Sequence, residues 1–403
     1  MNEPLCTIII PVLNQLAYTQ QCLEGIWRNT ADVSFEVIVV DNGSTDGTAQ
    51  YLEQFKANHH ELTVISFPEN RGFSEANNSA AQVARGKFLM LLNNDTLPLP
   101  GWLSNLIAAV EVSGAQIGGA KLIAPRDNSI DHAGYVYGSA LKSFYPIYHR
   151  FYAESPAVNR QREYQAVLGA CLLIRRDLYH EVGGLWLHGL EDIDLCLKVR
   201  RAGGGVLYVP SSRVYHHRSV TLNDPSVISP PVTSEAFSKA WPRSERLVDD
   251  IDYYDQDGFE MIAREDGSIA LRHRDNLSYE LCDKALALKN NKDFSAAIRL
   301  LAEATQADPF NKGALLLTIE LLAAKGEALK AYQTLKALVG LDPLHLEAYL
   351  IGAEFCLNNG RIEEGQEWLN SLLTLSDLDF TVRTEAKNLA DKFRLVDPTS
   401  SNR

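Results

Sequence analysis

Apolar positions in the first half of the chain come in short unbroken runs, separated by segments of helical composition. Thr7-Ile8-Ile9-Ile10-Pro11-Val12 is rich in β-branched residues and is stopped by proline. Glu36-Val37-Ile38-Val39-Val40-Asp41, Thr63-Val64-Ile65-Ser66-Phe67 and Phe88-Leu89-Met90-Leu91-Leu92 repeat the pattern. Such runs, without polar alternation, predict strands buried on both faces of a mainly parallel sheet. Helices are predicted near Leu16–Asn29, Gly47–His59 and Ser74–Arg85. From Leu5 to about His217 strand and helix alternate, which predicts an α/β layer structure. Later elements are a strand over Val167–Arg176, a helix from Glu191 through Arg201, and a strand over Val206–Pro210.

Beyond about Asn223 the pattern breaks. Asp224-Pro225 and Ser229-Pro230-Pro231-Val232 read as an irregular connection, followed by a short helix at Phe237–Trp241. Phe259–Ala263 and Ser268–Leu271 flank Arg264-Glu265-Asp266-Gly267 and predict a hairpin with Asp-Gly at its turn. From Asn276 onward the chain is helical and periodic. Asp308-Pro309 recurs as Asp342-Pro343, Ala297 as Ala331, and Leu301 as Leu335 and Leu369, always 34 residues on. The period, with small residues where helices approach, resembles tetratricopeptide repeats over about Ser278–Asp379, with a capping helix at Phe380–Leu395. The third unit carries Gly365 and Asp377 where Ala and Pro are expected. Three regions follow: 1–222, 223–275 and 276–403.

The chain has 403 residues, 46% of them apolar, enough for ordinary cores in two or three domains. Its formal net charge of −13 argues against nucleic acid or anionic membrane as a nonspecific partner. A phosphate-bearing ligand would therefore need a local device: backbone amides, an Arg or a metal. No leader of the secretory kind and no apolar stretch long enough to span a bilayer are present. The six cysteines have no metal-like CxxC spacing and read as free, mostly buried thiols of a reducing compartment. The expectation is a soluble cytoplasmic protein with no transmembrane segment.

Candidate chemistry gathers at strand ends, where ligands collect in open α/β sheets. Asp41-Asn42-Gly43-Ser44-Thr45-Asp46-Gly47 follows one strand, beside the Pro11-Val12 end of another. A carboxylate there can accept the N3–H of a pyrimidine, although the same residue types also serve as helix caps and turns. Arg71, after Glu69-Asn70, suits a diphosphate or a solvated loop, and Asn77 lies on the first turns of the next helix. Asn93-Asn94-Asp95 ends a buried strand. Asp95 offers hard oxygen to Mg2+ or Mn2+, and Asn93 can hydrogen-bond a ribose. Gly169-Ala170 would let backbone approach a sugar. Glu191-Asp192-Ile193-Asp194 opens a helix with more acid than capping needs; Glu191 and Asp192 are the catalytic candidates, Asp192 as the base. His216-His217 closes the last strand, and a histidine there either completes a metal site with Asp95 or is structural. The region Ala124–Pro156, with His132-Ala133-Gly134, is expected to supply variable acceptor-side loops.

Taken in order, these motifs, with Asn70-Arg71-Gly72-Phe73, Glu191–Cys196 and Val214-Tyr215-His216, resemble the family 2 inverting glycosyltransferases, in particular the rhamnosyltransferase-like soluble branch, over about residues 3–220. The resemblance implies a GT-A fold, a nucleotide-diphosphate sugar donor and a divalent metal, Mn2+ or Mg2+. It places Asp41 at the pyrimidine; Pro11, Val12, Asn42, Arg71 and Asn77 are further candidates for nucleotide-sugar binding. Asn93 and Asn94 would lie near ribose and phosphate, Asp95 and His216 on the metal, and Asp192 would act as base. Asn93 stands where the wider family commonly has Asp. The Gln-x-x-Arg-Trp signature of processive synthases is absent, so single-sugar transfer is expected, from a UDP- or dTDP-sugar to a glycan or protein hydroxyl, as in polysaccharide biosynthesis.

A helical repeat array makes a concave groove. It would bind an acceptor or protein partner, or mediate self-association. The competing function is a catalytically inactive sugar-nucleotide-binding scaffold whose repeats bind partners; intact Asp95, Asp192 and His216 speak against it. A nucleotidyltransferase would carry a Gly-rich basic loop after its first strand, where this chain has Pro11-Val12-Leu13-Asn14-Gln15-Leu16.

Overall fold

A computed structural model describes residues 3–138, 143–186, 189–217, 237, 239–241, 250–263, 269–308, 311–375, 378 and 380–393. The chain forms two compact units, Met1–Ala124 with Ser129–Val248, and Pro125–Asn128 with Asp249–Arg403. No helix among the described residues is long and apolar enough to cross a membrane.

The first unit is built on a ten-stranded mixed sheet, mostly parallel in its N-terminal part. Strands β1 (Cys6–Val12), β2 (Phe35–Asp41), β3 (Leu62–Ser66) and β4 (Phe88–Leu92) run parallel to their neighbours among them. Alternate side chains of each strand face opposite layers. Ile8, Ile10, Val12, Val37, Val39, Met90 and Leu92 pack on α1 (Leu16–Asn29), α2 (Thr48–Lys56) and α4 (Trp102–Ser113). Ile9, Ile38, Val40, Leu89 and Leu91 pack on α3 (Phe73–Val83), α5 (Arg176–Glu181) and α6 (Glu191–Arg201). Two covered faces explain why the strands lack polar alternation. The first unit is thus an α/β sheet covered by helices on both faces, and a helical region follows it in the chain.

The second half of the sheet changes direction. β5 is Thr96–Pro98, β6 is Ile117–Ile123 and β7 is Ile130–His132. β8 (Tyr135–Gly138) pairs with β9 (Ser143–Pro146), and β10 is Arg162–Glu163. The Ala124–Pro156 region expected as loops therefore holds three short strands. β11 (Cys171–Arg175) is antiparallel to both β4 and β6, a direction that its apolar composition could not announce. β12 runs from Val206 to His216, longer than Val206–Pro210, because a register shift between Val209 and Arg213 lets the strand continue past Pro210. Six free cysteines include five that are buried.

In the second unit, α7 (Asp250–Gln256) precedes the antiparallel pair β13 (Phe259–Ala263) and β14 (Ile269–His273). The expected turn at Arg264–Gly267 lies outside the described residues, as do Asp224-Pro225, Ser229–Val232, Pro309 and Asp377. Helices α8 (Leu277–Asn290), α9 (Phe294–Ala307), α10 (Lys312–Ala324), α11 (Ala328–Leu341), α12 (Leu346–Asn358), α13 (Ile362–Leu373) and α14 (Phe380–Lys392) follow. Corresponding helices start 34 or 35 residues apart. Gly365 stands in the Ala297/Ala331 position because a Cβ there would lie 2.6 Å from the Leu357 side chain. Polar side chains tie successive units: Asn276 Nδ2 donates to Asp308 Oδ2 at 2.9 Å, and Lys312 pairs with Asp342, both buried.

Candidate active site

Parallel register aligns Pro11 with Val40, Val12 with Asp41, and Asp41 with Ser66, so the loops after β1, β2 and β3 leave the sheet along one edge. Asp41 is buried, and its Oδ1 accepts from Ser44 N at 2.9 Å. Asn14 N donates to Ser44 Oγ at 2.8 Å and Asn14 Oδ1 accepts from Thr45 N at 2.8 Å, which laces the first loop to the second. Asn42 laces the second to the third: its Nδ2 donates to Asn70 Oδ1 at 2.9 Å, and its Oδ1 accepts from Arg71 N at 2.8 Å. Gly43, at φ +89°, sits where a Cβ would come within 2.9 Å of the Glu69 backbone. The Arg71 side chain is 42% exposed, pairs with Glu75 at 3.2 Å and lies over the Phe67 ring. Asn77 is buried, with Nδ2 donating to Phe73 O at 2.9 Å and Oδ1 unpartnered.

A second cluster forms at the end of β4. Asn93 N donates to Ala170 O at 3.0 Å, and Asn94 Nδ2 donates to Thr19 Oγ1 at 3.0 Å. β5 pairs antiparallel with β12 so that Thr96 faces His216, and His217 N donates to Asp95 O at 3.0 Å. This pairing brings His216 Nε2 to 3.4 Å from Asp95 Oδ1. Both residues are buried, and Asp95 Oδ1 has no hydrogen-bond partner. On the far side of the ring, His216 Nδ1 lies 2.7 Å from Asp131 Oδ2. Burial works against charge on His216, but Asp95 and Asp131 push its pKa up to about 10. Burial likewise opposes charge on Asp95, yet the imidazolium beside it holds the carboxyl below its ordinary value.

The third cluster is the start of α6. Gly169 N donates to Asp192 Oδ2 at 3.1 Å, and Ile193 N donates to Oδ1 at 2.8 Å. A Cβ on Gly169 would stand 3.3 Å from Asp192 Cβ, so a small residue there lets backbone and carboxylate meet. Burial raises the pKa of Asp192 against the pull of these amides. Burial, reinforced by the Asp192 charge, raises Glu191 to about 7, and Glu191 Oε2 is buried without a partner. Asp194 is spent on packing: its Oδ1 accepts from Trp241 Nε1 at 3.0 Å, and Lys198 pairs with it at 2.7 Å.

The structure thus joins Val12, Asp41 and Asn42 in one group, Asn93 with Ala170, Gly169 with Asp192, and Asp95 with His216. Arg71 contacts Asn42 through its backbone alone, while its guanidinium is engaged elsewhere. Asp131 was missed by sequence reasoning. Its sequence gives no signal, because Ile130-Asp131-His132 is two-thirds polar and only the structure shows the strand to be buried. His132 is buried, and its Nε2 accepts from Leu168 N at 3.0 Å.

Among the described residues no group of three or more His, Cys, Asp or Glu side chains could hold a metal ion. Asp95 and His216 are a pair, and a buried carboxylate oxygen without a hydrogen bond, facing an imidazole nitrogen, fits a hard divalent cation. Mg2+ and similar ions are commonly held by one or two carboxylates, with water and substrate phosphate completing the shell.

Residues 7–183 match the family model of glycosyl transferase family 2. That span carries Asp41, Arg71, Asn93–Asp95 and Gly169–Ala170, and stops before Glu191, Asp192 and His216. The chain is 36% identical over 231 residues to the uncharacterized protein y4gI of Sinorhizobium fredii, covering 55% of this chain and 25% of that protein. It is 27% identical over 232 residues to the O-antigen biosynthesis protein RfbC of Myxococcus xanthus, covering 55% of this chain and 18% of RfbC. The chain therefore spans a quarter or less of either relative. The crystal structure of GalNAc-T7 with UDP, GalNAc and Mn2+ aligns at a TM-score of 0.44 and 17% identity, over 53% of this chain and 44% of that one.

Proposed function

We propose that this protein moves a single sugar, with inversion, from a UDP- or dTDP-linked donor to a hydroxyl of a glycan or protein acceptor. The observation that carries the reading is the buried Asp95 Oδ1, without a hydrogen bond, 3.4 Å from His216 Nε2 at the end of β4. A divalent ion held by Asp95 and His216 would neutralise charge on the leaving diphosphate.

The chain's own groups supply the rest. Asp41 accepts the N3–H of the pyrimidine, with Pro11, Val12, Asn42 and Asn77 around the nucleotide. Asn93 and Asn94 lie toward ribose and phosphate. Arg71 reaches the diphosphate by leaving Glu75, which is cheap because exposed pairs contribute roughly 0–1 kcal/mol. Gly169 and Ala170 offer backbone to the sugar. Asp192 takes the acceptor proton, and burial makes it a stronger base than a free carboxylate. Glu191 stands beside it as a second proton-handling group. Attack from the face opposite the diphosphate inverts the anomeric centre.

The helical array, as a tetratricopeptide-type solenoid, binds acceptor or protein partner, with self-association as its other use. A cytoplasmic location suits its free thiols. The test is nucleotide release with Mn2+ from a panel of UDP-, dTDP- and GDP-sugars, with product stereochemistry read by proton NMR. Release from one donor, lost in Asp95→Ala and Asp192→Ala, is expected. Nucleotide binding without release across donors and acceptors would favour the inactive scaffold, and a retained linkage would exclude single displacement.

A further inference from the structure

Strand β7 is three residues long, yet two of its neighbouring side chains reach toward different parts of the site. Asp131 Oδ2 lies 2.7 Å from His216 Nδ1, whereas His132 Nε2 accepts from Leu168 N, next to the Gly169 that holds Asp192. The strand is pinned on β6 by the pairs Leu122–His132 and Ile123–Ile130, and Ile130 N donates to Phe151 O at 2.6 Å.

We propose that Asp131 is a positioning residue for divalent-cation binding, through its hold on His216. The proposal rests on the metal reading given above. A carboxylate only accepts, so the 2.7 Å contact puts a proton on His216 Nδ1. A cation that takes the place of the other ring proton would then meet the lone pair of Nε2, the nitrogen that faces Asp95 Oδ1. Asp131, His216 and Asp95 side chains are 5%, 5% and 7% exposed, so water does not compete for these directions. A pair that served packing alone would not require a second buried carboxylate, on the opposite side of the ring, to keep an oxygen without a hydrogen bond. The three residues come from a short strand, a strand end and a loop far apart in sequence, and only the fold assembles them.

The full-length protein is titrated with Mn2+, alone and with UDP, and free Mn2+ is followed by electron paramagnetic resonance. Wild type binds Mn2+, and Asp131→Asn weakens it by about 10–100-fold, the usual effect of losing a partner that orients a metal-bound histidine. His132→Phe, which disturbs the neighbouring side chain of the same strand, leaves Mn2+ affinity unchanged. Equal affinity in wild type and Asp131→Asn overturns the role of Asp131 and leaves the metal reading standing. No Mn2+ binding by wild type overturns both. A measurement on wild type covers the case in which Asp131→Asn does not fold: long-range 1H–15N spectra of the histidine rings with Mg2+. Nδ1 of His216 should stay protonated while Nε2 shifts on binding. Ligation through Nδ1, or no shift at either nitrogen, contradicts the proposal.

Discussion

After β2, Asn42 uses both ends of its amide to hold the neighbouring loop, and Asn14, Ser44 and Asp46 lace the first loop to the second. After β4, Asp95 Oδ1 and Asn93 Oδ1 are buried with no hydrogen-bond partner, and so is Glu191 Oε2 at the start of α6. Both stretches belong to the same unit and are rich in Asn and Asp. A buried polar group left unpaired costs roughly 1–3 kcal/mol, so the open atoms are maintained against a penalty that the Asn42 amide avoids. On the proposed function the difference has a meaning: the laced loops hold their shape before a nucleotide arrives, and the open atoms are those that the metal, donor or acceptor would satisfy.

The largest effect should come from the open side. Asp95→Ala should lower nucleotide release by on the order of a thousandfold, the equivalent of several kcal/mol of charge stabilisation. Asp192→Asn should lower transfer by about 10²–10⁴-fold, as expected for a lost general base, while its thermal melt stays close to wild type. Wild-type-like transfer in Asp192→Asn would move the base elsewhere.

The laced side should respond in stability. Asn42→Ala removes three hydrogen bonds between loops. It should cost about 1–3 kcal/mol, visible as a lower denaturation midpoint, and should weaken donor binding without abolishing the Mn2+ response. An unchanged midpoint would erase the contrast between the two sides.

The most gradual effect concerns pH. Glu191 titrates near 7 in the folded protein, above its ordinary value near 4.5, because burial disfavours its charge. The folded state therefore retains a proton that the unfolded chain releases. The contribution is full below about pH 4.5 and is lost as pH rises through about 7. Denaturant unfolding should show stability falling across that window by on the order of 1–3 kcal/mol, and Glu191→Gln should flatten the slope.

Much of the framework was legible from the chain. β1 to β4 and their helices follow from apolar runs and composition, and Asp95 and Asp192 stand at element ends that the pattern marks. The 34-residue spacing is visible in the helix pairs. What the residues did not reveal depends on pairing. Pro210 reads as a strand end, yet β12 passes it through an irregularity, and that extension is what carries His216 to Asp95. The antiparallel direction of β11 leaves no trace in an apolar run, although it sets Ala170 against Asn93. Asp131 has meaning only once β7 lies beside β6. Arg71, read as suited to a diphosphate or a solvated loop, pairs with its (i, i+4) neighbour Glu75, a contact that the sequence reading did not include.

Calorimetric titration of UDP, with and without Mn2+, tests the contrast most directly. Mn2+ should tighten UDP binding in wild type and in Asn42→Ala, and should have no effect in Asp95→Ala. A Mn2+ response that survives in Asp95→Ala would contradict the account, because the open carboxylate would then not be where the ion and the nucleotide meet.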